Sequence, residues 1–304
     1  MVQYEELITF VTLAEVKSFT KTAEKLLMSQ PNVSLHIKNL EEEFQTKLFH
    51  RSPRFLKITE SGELLLERAK QMIKIYEQAK EEILDLQNAV RGRMKIGASF
   101  TIGEYVLPRL LSNLRRRYED LEPDVIIGNT EEIVRAVRLL EVDIGLIEGR
   151  TTDEELHAVP FMEDELFFVA SCAHPLAKKK PVRMEDLQNQ TWITREPGSG
   201  TRDYLQHVIN SHGLKVKSMI TISSNQGIKE AVIQGMGLSL LSGAVIEREV
   251  KHKYLSVIQP ENRSFTRTFS YIYSPLKEKQ KSVRAFIHML AGGKGDPLVS
   301  LVKV

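Results

Sequence analysis

Hydroxyl, glycine and arginine residues cluster at three points of the chain in a pattern that suits a small anion. Each point lies between a predicted strand and a predicted helix, where free backbone N–H groups and the helix dipole favour negative charge. The candidate ligand residues at these junctions are Ser99, Thr101, Arg195, Ser199, Thr201, Arg202, Gln226 and Gly227. Glu148, after a further predicted strand, is a candidate because its carboxylate can accept a hydrogen bond from an amine or hydroxyl. For residues 195–202 alone, the competing interpretation is a well-capped loop without a ligand.

A second group of residues suits hydrogen bonding to DNA. Gln30 opens a predicted helix that Ser29 caps, and Pro31 is tolerated in the first turn. This is the end that a recognition helix presents to base edges in the major groove. Downstream, residues 47–59 contain no acid, and their basic side chains can reach phosphates or the minor groove. The candidate DNA-binding residues are Ser18, Thr20, Gln30, Pro31, Asn32, Ser34, Leu35, Lys38, Arg51 and Arg54.

Catalytic and metal-binding motifs are not recognisable in the sequence. The eight histidines show no metal-ligand spacing, and none accompanies a serine in a nucleophile-elbow motif. There is no Walker loop and no GxGxxG after a strand. The single cysteine, Cys172, rules out an internal disulfide and a multi-cysteine metal site, and its apolar neighbours predict a buried thiol. We therefore expect no catalytic residue, no metal and no cofactor.

Two short amphipathic helices joined by a tight turn must position the DNA-reading residues. Their apolar positions are Phe19, Ala23 and Leu26 in the first helix and Val33, Ile37, Leu40 and Phe44 in the second. An earlier helix with the same period, through Leu7, Phe10, Val11 and Ala14, completes a three-helix core. The basic loop around Ser52 and Pro53 then reads as a wing. The segment predicts a winged helix-turn-helix.

These residues resemble the winged helix-turn-helix of the LysR-type transcriptional regulators. The resemblance covers the first sixty-odd residues closely and rests on Ser29-Gln30-Pro31, Val33-Ser34, Leu40-Glu41, Leu48-Phe49, Arg51 and Thr59-Glu60-Ser61-Gly62. One position departs from the pattern, because Leu35 stands where many relatives carry a polar or basic residue. Leucine can touch a thymine methyl but cannot form a bidentate hydrogen bond, so the target sequence cannot be transferred from a relative.

A long helix is predicted after the wing. Its apolar positions alternate in steps of four and three through Leu65, Ala69, Met72, Tyr76, Ala79, Ile83, Leu86 and Val90. A seam this narrow favours pairing with a second copy, although packing within its own domain is the alternative. The segment also resembles the LysR-type linker helix, which joins two subunits. We expect Gly92 to cap its end and mark a domain boundary.

From Met94 onward, predicted strands and helices alternate, which favours an α/β domain with mainly parallel pairing. This order resembles the two-lobed, periplasmic-binding-protein-like effector domain of the same family. There two crossover segments join the lobes, and we place them near Phe161–Asp164 and Phe265–Arg267. The resulting α+β multidomain assignment is a winged helix-turn-helix at 1–60, a coiled-coil linker helix at 61–91 and an effector domain at 92–304. Lobe I comprises residues 92–162 and 267–304, and lobe II comprises residues 163–266.

Composition is consistent with a cytoplasmic regulator. The 304 residues carry a net charge of only +2, so bulk charge does not indicate nucleic acid; only the local arrangement does. The N-terminus lacks the apolar core of a signal peptide, and no run approaches the length of a membrane span. The partners that the resemblance implies are double-stranded DNA, a small anionic effector and further copies of the chain in a homodimer or homotetramer. RNA polymerase is a further partner that such a regulator can contact.

The segment Arg195–Arg202 is also similar to that of the CysL- and CbbR-like branch, whose members tend to respond to small metabolites of sulfur or carbon assimilation. The sequence thus predicts a DNA-binding regulator controlled by a small metabolite in its C-terminal cleft. The alternatives are a solute-binding protein without a DNA role and an enzyme of the same two-lobed fold.

Overall fold

The structure is a computed structural model that describes residues 3–51, 56–84, 90–258, 260–261 and 263–292. The chain divides into two compact units, Met1–Ala89 and Val90–Val304.

The N-terminal unit is a helix-turn-helix followed by a hairpin and a long helix. Its elements are α1 (Tyr4–Val16), α2 (Phe19–Lys25), α3 (Gln30–Glu43), β1 (Phe49–Arg51), β2 (Leu56–Ile58) and α4 (Glu60–Leu84). Ser29 caps α3 by accepting a hydrogen bond from the Asn32 N–H, and Pro31 lies in the first turn. Ser18 caps α2 in the same way. Local capping therefore sets where both helices begin, and the sequence had indicated the cap of α3.

A buried carboxylate fixes the hairpin to the end of α3. Glu41 accepts hydrogen bonds from the Leu48 N–H at 3.1 Å and from Lys47 Nζ at 2.7 Å. Thr59, which precedes α4, donates to the Lys47 carbonyl and accepts from the Gly62 N–H. Gly62 is required here because a Cβ at this position would collide with the Leu48 carbonyl oxygen. These contacts hold the two hairpin strands beside the recognition helix.

The apolar stripes mostly form the core, with one exception in α3. Phe10, Ile37 and Leu40 are fully buried. Phe44, predicted to continue the stripe, is instead the C-cap residue and 43% exposed. The helix ends there, so the residue leaves the buried face.

The seam of α4 divides into two parts. Leu65 and Ala69 are buried in the core of their own unit. Met72 and Ile83 are 50% and 68% exposed. Tyr76 packs against Tyr4 of α1 with a centroid distance of 4.4 Å. Of the remaining seam positions, Leu86 lies outside the described residues. The periodicity identified an apolar face of α4. It could not show that the first turns of this helix are buried in one core with α1 and α3.

The C-terminal unit is a mixed α/β domain. Its strands are β3 (Gly92–Ser99), β4 (Leu121–Gly128), β5 (Ile144–Glu148), β6 (His157–Ser171), β7 (Gln190–Thr194), β8 (Val216–Thr221), β9 (Ser239–Ser242), β10 (Leu255–Val257) and β11 (Phe265–Tyr273). Its helices are α5 (Leu107–Arg117), α6 (Thr130–Arg138), α7 (Pro175–Lys178), α8 (Gly200–Ser211), α9 (Asn225–Ile233), α10 (Gly243–Lys251) and α11 (Lys281–Gly292). A π-helical turn, Ile102–Val106, precedes α5. Three of these elements, α7, α10 and β10, were not predicted from the sequence.

The pairing of the strands corrects one expectation. The large sheet has the order β10-β6-β11-β5-β3-β4, with β9 also on β6, and a second sheet pairs β7 with β8. Pairing is parallel between β3, β4 and β5 and between β7 and β8, but antiparallel wherever β6 or β11 takes part. The prediction of mainly parallel pairing was therefore wrong. The two long strands β6 and β11 run antiparallel to each other, and β11 also runs antiparallel to β5.

Both predicted crossover segments lie inside the paired strands β6 and β11. Their register runs from Phe265 opposite Leu166 to Tyr273 opposite His157, with an irregularity after Phe269. One hydrophobic core lies around β3, β5 and α11, and two others lie on either side of β6 and β9. Gly92 does not cap the linker helix, because Val90 and Arg91 already lie outside any helix; it opens β3 with a φ of +86°. The two long strands thus connect separate cores.

Candidate functional site

The N-terminal end of α3 presents an exposed, mostly polar surface. Gln30, Pro31, Asn32, Leu35 and Lys38 are exposed, and Ser34 is half-buried. The buried side of the same helix is formed by Val33, Ile37 and Leu40. The helix therefore separates the residues that hold it from those that can face a partner.

The other predicted DNA-binding residues have varied positions. Thr20 is exposed and its hydroxyl lies 3.5 Å from Gln30 Oε1, whereas the Ser18 hydroxyl caps α2. Lys38 forms an exposed ion pair with Glu42 at 3.4 Å. Arg51 is the last residue of β1, and Arg54 lies outside the described residues. The structure thus brings Thr20 beside the start of α3.

A groove of about 740 Å³ runs between α3 and β1. Its lining residues are Pro31, Ser34, Leu35, Lys38, Glu41, Lys47, Phe49 and His50. Three of them, Lys38, Lys47 and His50, have basic side chains. The one acid among the lining residues, Glu41, already forms an ion pair with Lys47. The surface can accept a polyanion along its basic side chains while exposing side chains that can read bases.

In the C-terminal unit, Glu148 is the centre of a buried hydrogen-bond network. Its Oε1 accepts from the Thr101 N–H at 3.0 Å, and its Oε2 accepts from the Thr201 hydroxyl at 2.8 Å. The same Oε2 lies 2.7 Å from Arg267 Nη1. Thr101 precedes the π-helical turn and Thr201 lies in the first turn of α8. Glu148 therefore joins segments that we assigned to different lobes.

Arg267 was not among the residues predicted from the sequence. Its Nε donates to Asp164 Oδ2 at 2.8 Å, and its Nη1 also donates to the Thr201 hydroxyl at 2.9 Å. Its Nη2 lies 3.4 Å from the Thr101 hydroxyl. Asp164 in turn accepts from the Ser242 hydroxyl. The sequence offered one signal for this role. Arg267 is the one charged residue in a strand of apolar and hydroxyl-bearing residues, and a charge that is buried in such a strand requires a countercharge.

The environment shifts the pKa values of all three charged groups. Burial acts to raise the pKa of Glu148, but Arg267 and the hydrogen bonds from Thr101 and Thr201 outweigh it and hold this pKa below its usual value. Burial prevails at Asp164, whose pKa is raised despite Arg267. Burial acts to lower the pKa of Arg267, yet the two carboxylates raise it above its usual value. The guanidinium is thus the charge that holds the network together.

The loop before α8 is held by its own polar contacts. Arg195 is buried, pairs with both carboxylate oxygens of Glu196 at 2.8 Å and lies over the Phe100 ring at 4.2 Å. Arg202 donates to the Arg195 carbonyl at 2.7 Å and to the Thr221 hydroxyl at 3.2 Å. These contacts agree with the interpretation of residues 195–202 as a braced loop, and ligand contact by Arg195 or Arg202 stays a prediction.

Glycines allow this loop to approach segments of the other lobe. A Cβ on Gly200 would lie 2.6 Å from the Glu148 carbonyl oxygen. Gly198 has a φ of +85°, and its carbonyl accepts from the Glu131 N–H at 3.2 Å. Asn225 also joins the two lobes by donating to Glu104 Oε2 at 3.3 Å. The described residues of the two lobes are therefore in direct contact.

Ser99 differs from the other candidate ligand residues. It is 1% exposed, and its hydroxyl has no hydrogen-bond partner within the part of the chain that the structure describes. Ser199 is also buried, whereas Gln226 bonds Glu230 on the surface, and the Gly227 N–H is taken by Ser224. A buried hydroxyl without a partner is unfavourable unless another group satisfies it.

Three further features bear on function. Among the described residues, no three His, Cys, Asp or Glu side chains are arranged to hold a metal ion. Over the same residues, no helix has the length and hydropathy of a membrane span. Cys172 is half-buried rather than buried. It lies directly after β6, and its Sγ contacts the Lys253 carbonyl at 3.0 Å.

Comparison with known proteins identifies both units. Residues 4–63 match the model of the bacterial regulatory helix-turn-helix protein, lysR family, and residues 87–294 match the LysR substrate binding domain. The chain is 56% identical over 287 residues to the HTH-type transcriptional regulator CysL of Bacillus subtilis (strain 168), covering 94% of this chain and 96% of that protein.

Solved structures share the fold. A full-length OxyR variant from Pseudomonas aeruginosa matches with a TM-score of 0.73 at 21% identity, covering 95% of both chains. The regulatory domain of Synechocystis CcmR, solved in complex with 2-PG, matches with a TM-score of 0.62 at 27% identity, covering 68% of this chain and 99% of that one.

Proposed function

The chain belongs to the LysR family of transcriptional regulators, and we propose that it reads DNA with α3 and responds to a small anion bound between its lobes. The family assignment makes it a DNA-binding regulator with an effector-binding domain. The observation that supports the reading role is the exposed N-terminal end of α3, whose opposite side is fully buried. We propose further that it acts in the cytoplasm as a homo-oligomer and catalyses no reaction.

The DNA-reading role assigns different tasks to two sets of residues. Gln30 and Ser34 would contact base edges, because they lie near the start of the recognition helix. Arg51 and Arg54 of the wing would contact phosphates. The exposed side chains at the capped start of α3 support the base-reading part of this division, because their polar groups are open to a partner.

Gln30→Ala is expected to reduce sequence discrimination by about 1 to 3 kcal/mol, because a bidentate base contact is lost. Specific and non-specific affinities should be measured at several salt concentrations. Gln206→Ala, which removes an exposed glutamine from α8, serves as the control and should change neither affinity. Unchanged discrimination in Gln30→Ala would exclude this residue from base reading.

The effector proposal is supported by the buried Ser99 hydroxyl. An anion oxygen between the lobes would accept its hydrogen bond. Ser99 pairs with Gly128, two residues before α6 begins, and the N-terminal end of a helix favours negative charge. CcmR, whose regulatory domain shares the fold, binds 2-PG, which agrees with a small anion. The sequence similarity to a regulator named CysL directs attention to sulfur metabolites as well.

Ser99→Ala is expected to leave the unliganded protein as stable as the wild type, because no described hydrogen bond is lost. It should reduce the increase in Tm that ligand produces, which at a hundredfold excess over Kd corresponds to about 2.7 kcal/mol. Calorimetry with sulfate, phosphate, 2-phosphoglycolate and a panel of sulfur and carbon metabolites provides the measurement.

Ser239→Ala is the matched control, because this serine is equally buried but donates to the Ile193 carbonyl. It should lower stability without ligand by about 1 kcal/mol and keep the ligand response. Absence of any stabilising compound for the wild type across the panel would refute the anion site.

A further inference from the structure

Leu35 is an exposed apolar residue on the recognition helix and takes no part in the core. Val33, Ile37 and Leu40 of the same helix are fully buried, whereas Leu35 leaves 52% of its surface exposed. The residues around it on the open face, Gln30, Asn32 and Lys38, are polar. An isolated exposed leucine is common in proteins. Exposure alone therefore does not indicate a function, and the location of Leu35 relative to the groove between α3 and β1 has to be considered.

That position is the wall of the groove between α3 and β1. Leu35 lines it together with Pro31 and Phe49, so three carbon-rich side chains meet there. Lys38, Lys47 and His50 line the same groove and can contact phosphates. In the proposed reading role, α3 enters the major groove, and this apolar wall would then face base edges while the basic side chains contact the backbone.

Base chemistry determines what such a wall can recognise. In the major groove the C5-methyl of thymine is the apolar feature of the base edges, whereas the other bases present donors and acceptors there. A leucine against cytosine would cover its amino group without pairing it, which is unfavourable. We propose that Leu35 selects a base with a C5-methyl group, thymine in unmodified DNA, at one position of each half-site. This rests on the proposed reading role of α3.

The experiment removes the methyl group from the DNA and the side chain from the protein separately. The probe is a duplex selected from a random library by the purified full-length protein. Each thymine of one half-site is then replaced by deoxyuridine, which lacks only the methyl. For the wild type, one position should lose about fourfold in affinity, the factor that burial of one methylene-sized group produces.

Leu35→Ala should bind the thymine and deoxyuridine duplexes equally at that position. Leu276→Ala, which shortens a 49% exposed leucine of the C-terminal unit, should keep the wild-type difference. The proposal is overturned if no deoxyuridine weakens the wild type, or if the loss persists in Leu35→Ala. If the wild type selects no consensus at all, the reading role of α3 fails as well; a consensus that depends on Gln30 but not on any methyl overturns Leu35 alone.

Discussion

Arg267→Met is expected to lower the free energy of unfolding of the C-terminal unit by about 3 to 5 kcal/mol, because two buried carboxylates lose their countercharge. Arg267 lies 2.7 Å from Glu148 and 2.8 Å from Asp164, and the side chains of all three are at least 93% buried. Urea unfolding followed by tryptophan fluorescence measures this unit, because the single tryptophan, Trp192, is buried in it.

An exposed ion pair provides the control. Lys179→Met removes a 2.6 Å contact to Asp186, but the Lys179 side chain is 49% exposed, so we expect little change in the free energy of unfolding. An Arg267→Met protein as stable as the Lys179→Met protein would show that the buried network does not stabilise the fold.

The defect in Arg267→Met should become smaller as pH falls. In the wild type the lowered pKa of Glu148 stabilises the fold at neutral pH, and this contribution is lost as pH falls through that pKa. The raised pKa of Asp164 has the opposite effect. Without Arg267, burial would raise the pKa of both carboxyls, so protonation in mild acid removes the unpaired charges. Unfolding curves of both proteins between neutral pH and about pH 5 test whether the difference in their free energies of unfolding becomes smaller. A difference that stays constant with pH would contradict the prediction.

Ile83→Glu is expected to separate the subunits and to weaken operator binding by about 10² to 10⁴, because two half-sites would no longer be bound through one linked dimer. Met72, Ile75 and Ile83 are exposed along α4, at spacings that keep them on one face. Burying a carboxylate between two copies of this face is strongly unfavourable. Sedimentation gives the oligomeric state, and gel-shift titration gives the affinity.

Lys74→Glu is the matched control on another face of α4. It adds a carboxylate where only the exposed Lys74–Glu77 pair, at 2.8 Å, is lost. This variant should remain assembled. The seam interpretation is wrong if the wild type sediments as a monomer at every concentration, or if Ile83→Glu stays associated.

The helix-turn-helix could be predicted from the sequence because local interactions determine it. Ser29 caps α3 through a contact three residues away, and Pro31 and the apolar spacing act within the same two turns. Even so, the spacing of apolar residues does not predict which partner surface an apolar stripe packs against. Leu65 and Ala69 continue the seam of Met72 and Ile83, yet they pack against α1 and α3.

The buried network around Glu148 was predicted less well because it depends on contacts that are distant in the chain. Glu148 and Arg267 are 119 residues apart, and Asp164 and Arg267 are 103 apart. The sequence identified Glu148 and Thr201 as polar residues after a strand and at a helix start, but not the arginine that binds both. The antiparallel return of β6 and β11 creates this meeting point, and alternation of strands and helices does not reveal strand direction.

We propose above all that α3 reads a specific DNA sequence. Mapping where the full-length protein binds across its own genome, beside the Gln30→Ala variant, tests it most directly. The wild type should occupy discrete sites whose half-sites lie about one helical turn, or a multiple of it, apart. Gln30→Ala should lose the preference for these sites while keeping general DNA affinity. Uniform occupancy by the wild type, or an unchanged set of sites in the variant, would contradict the claim.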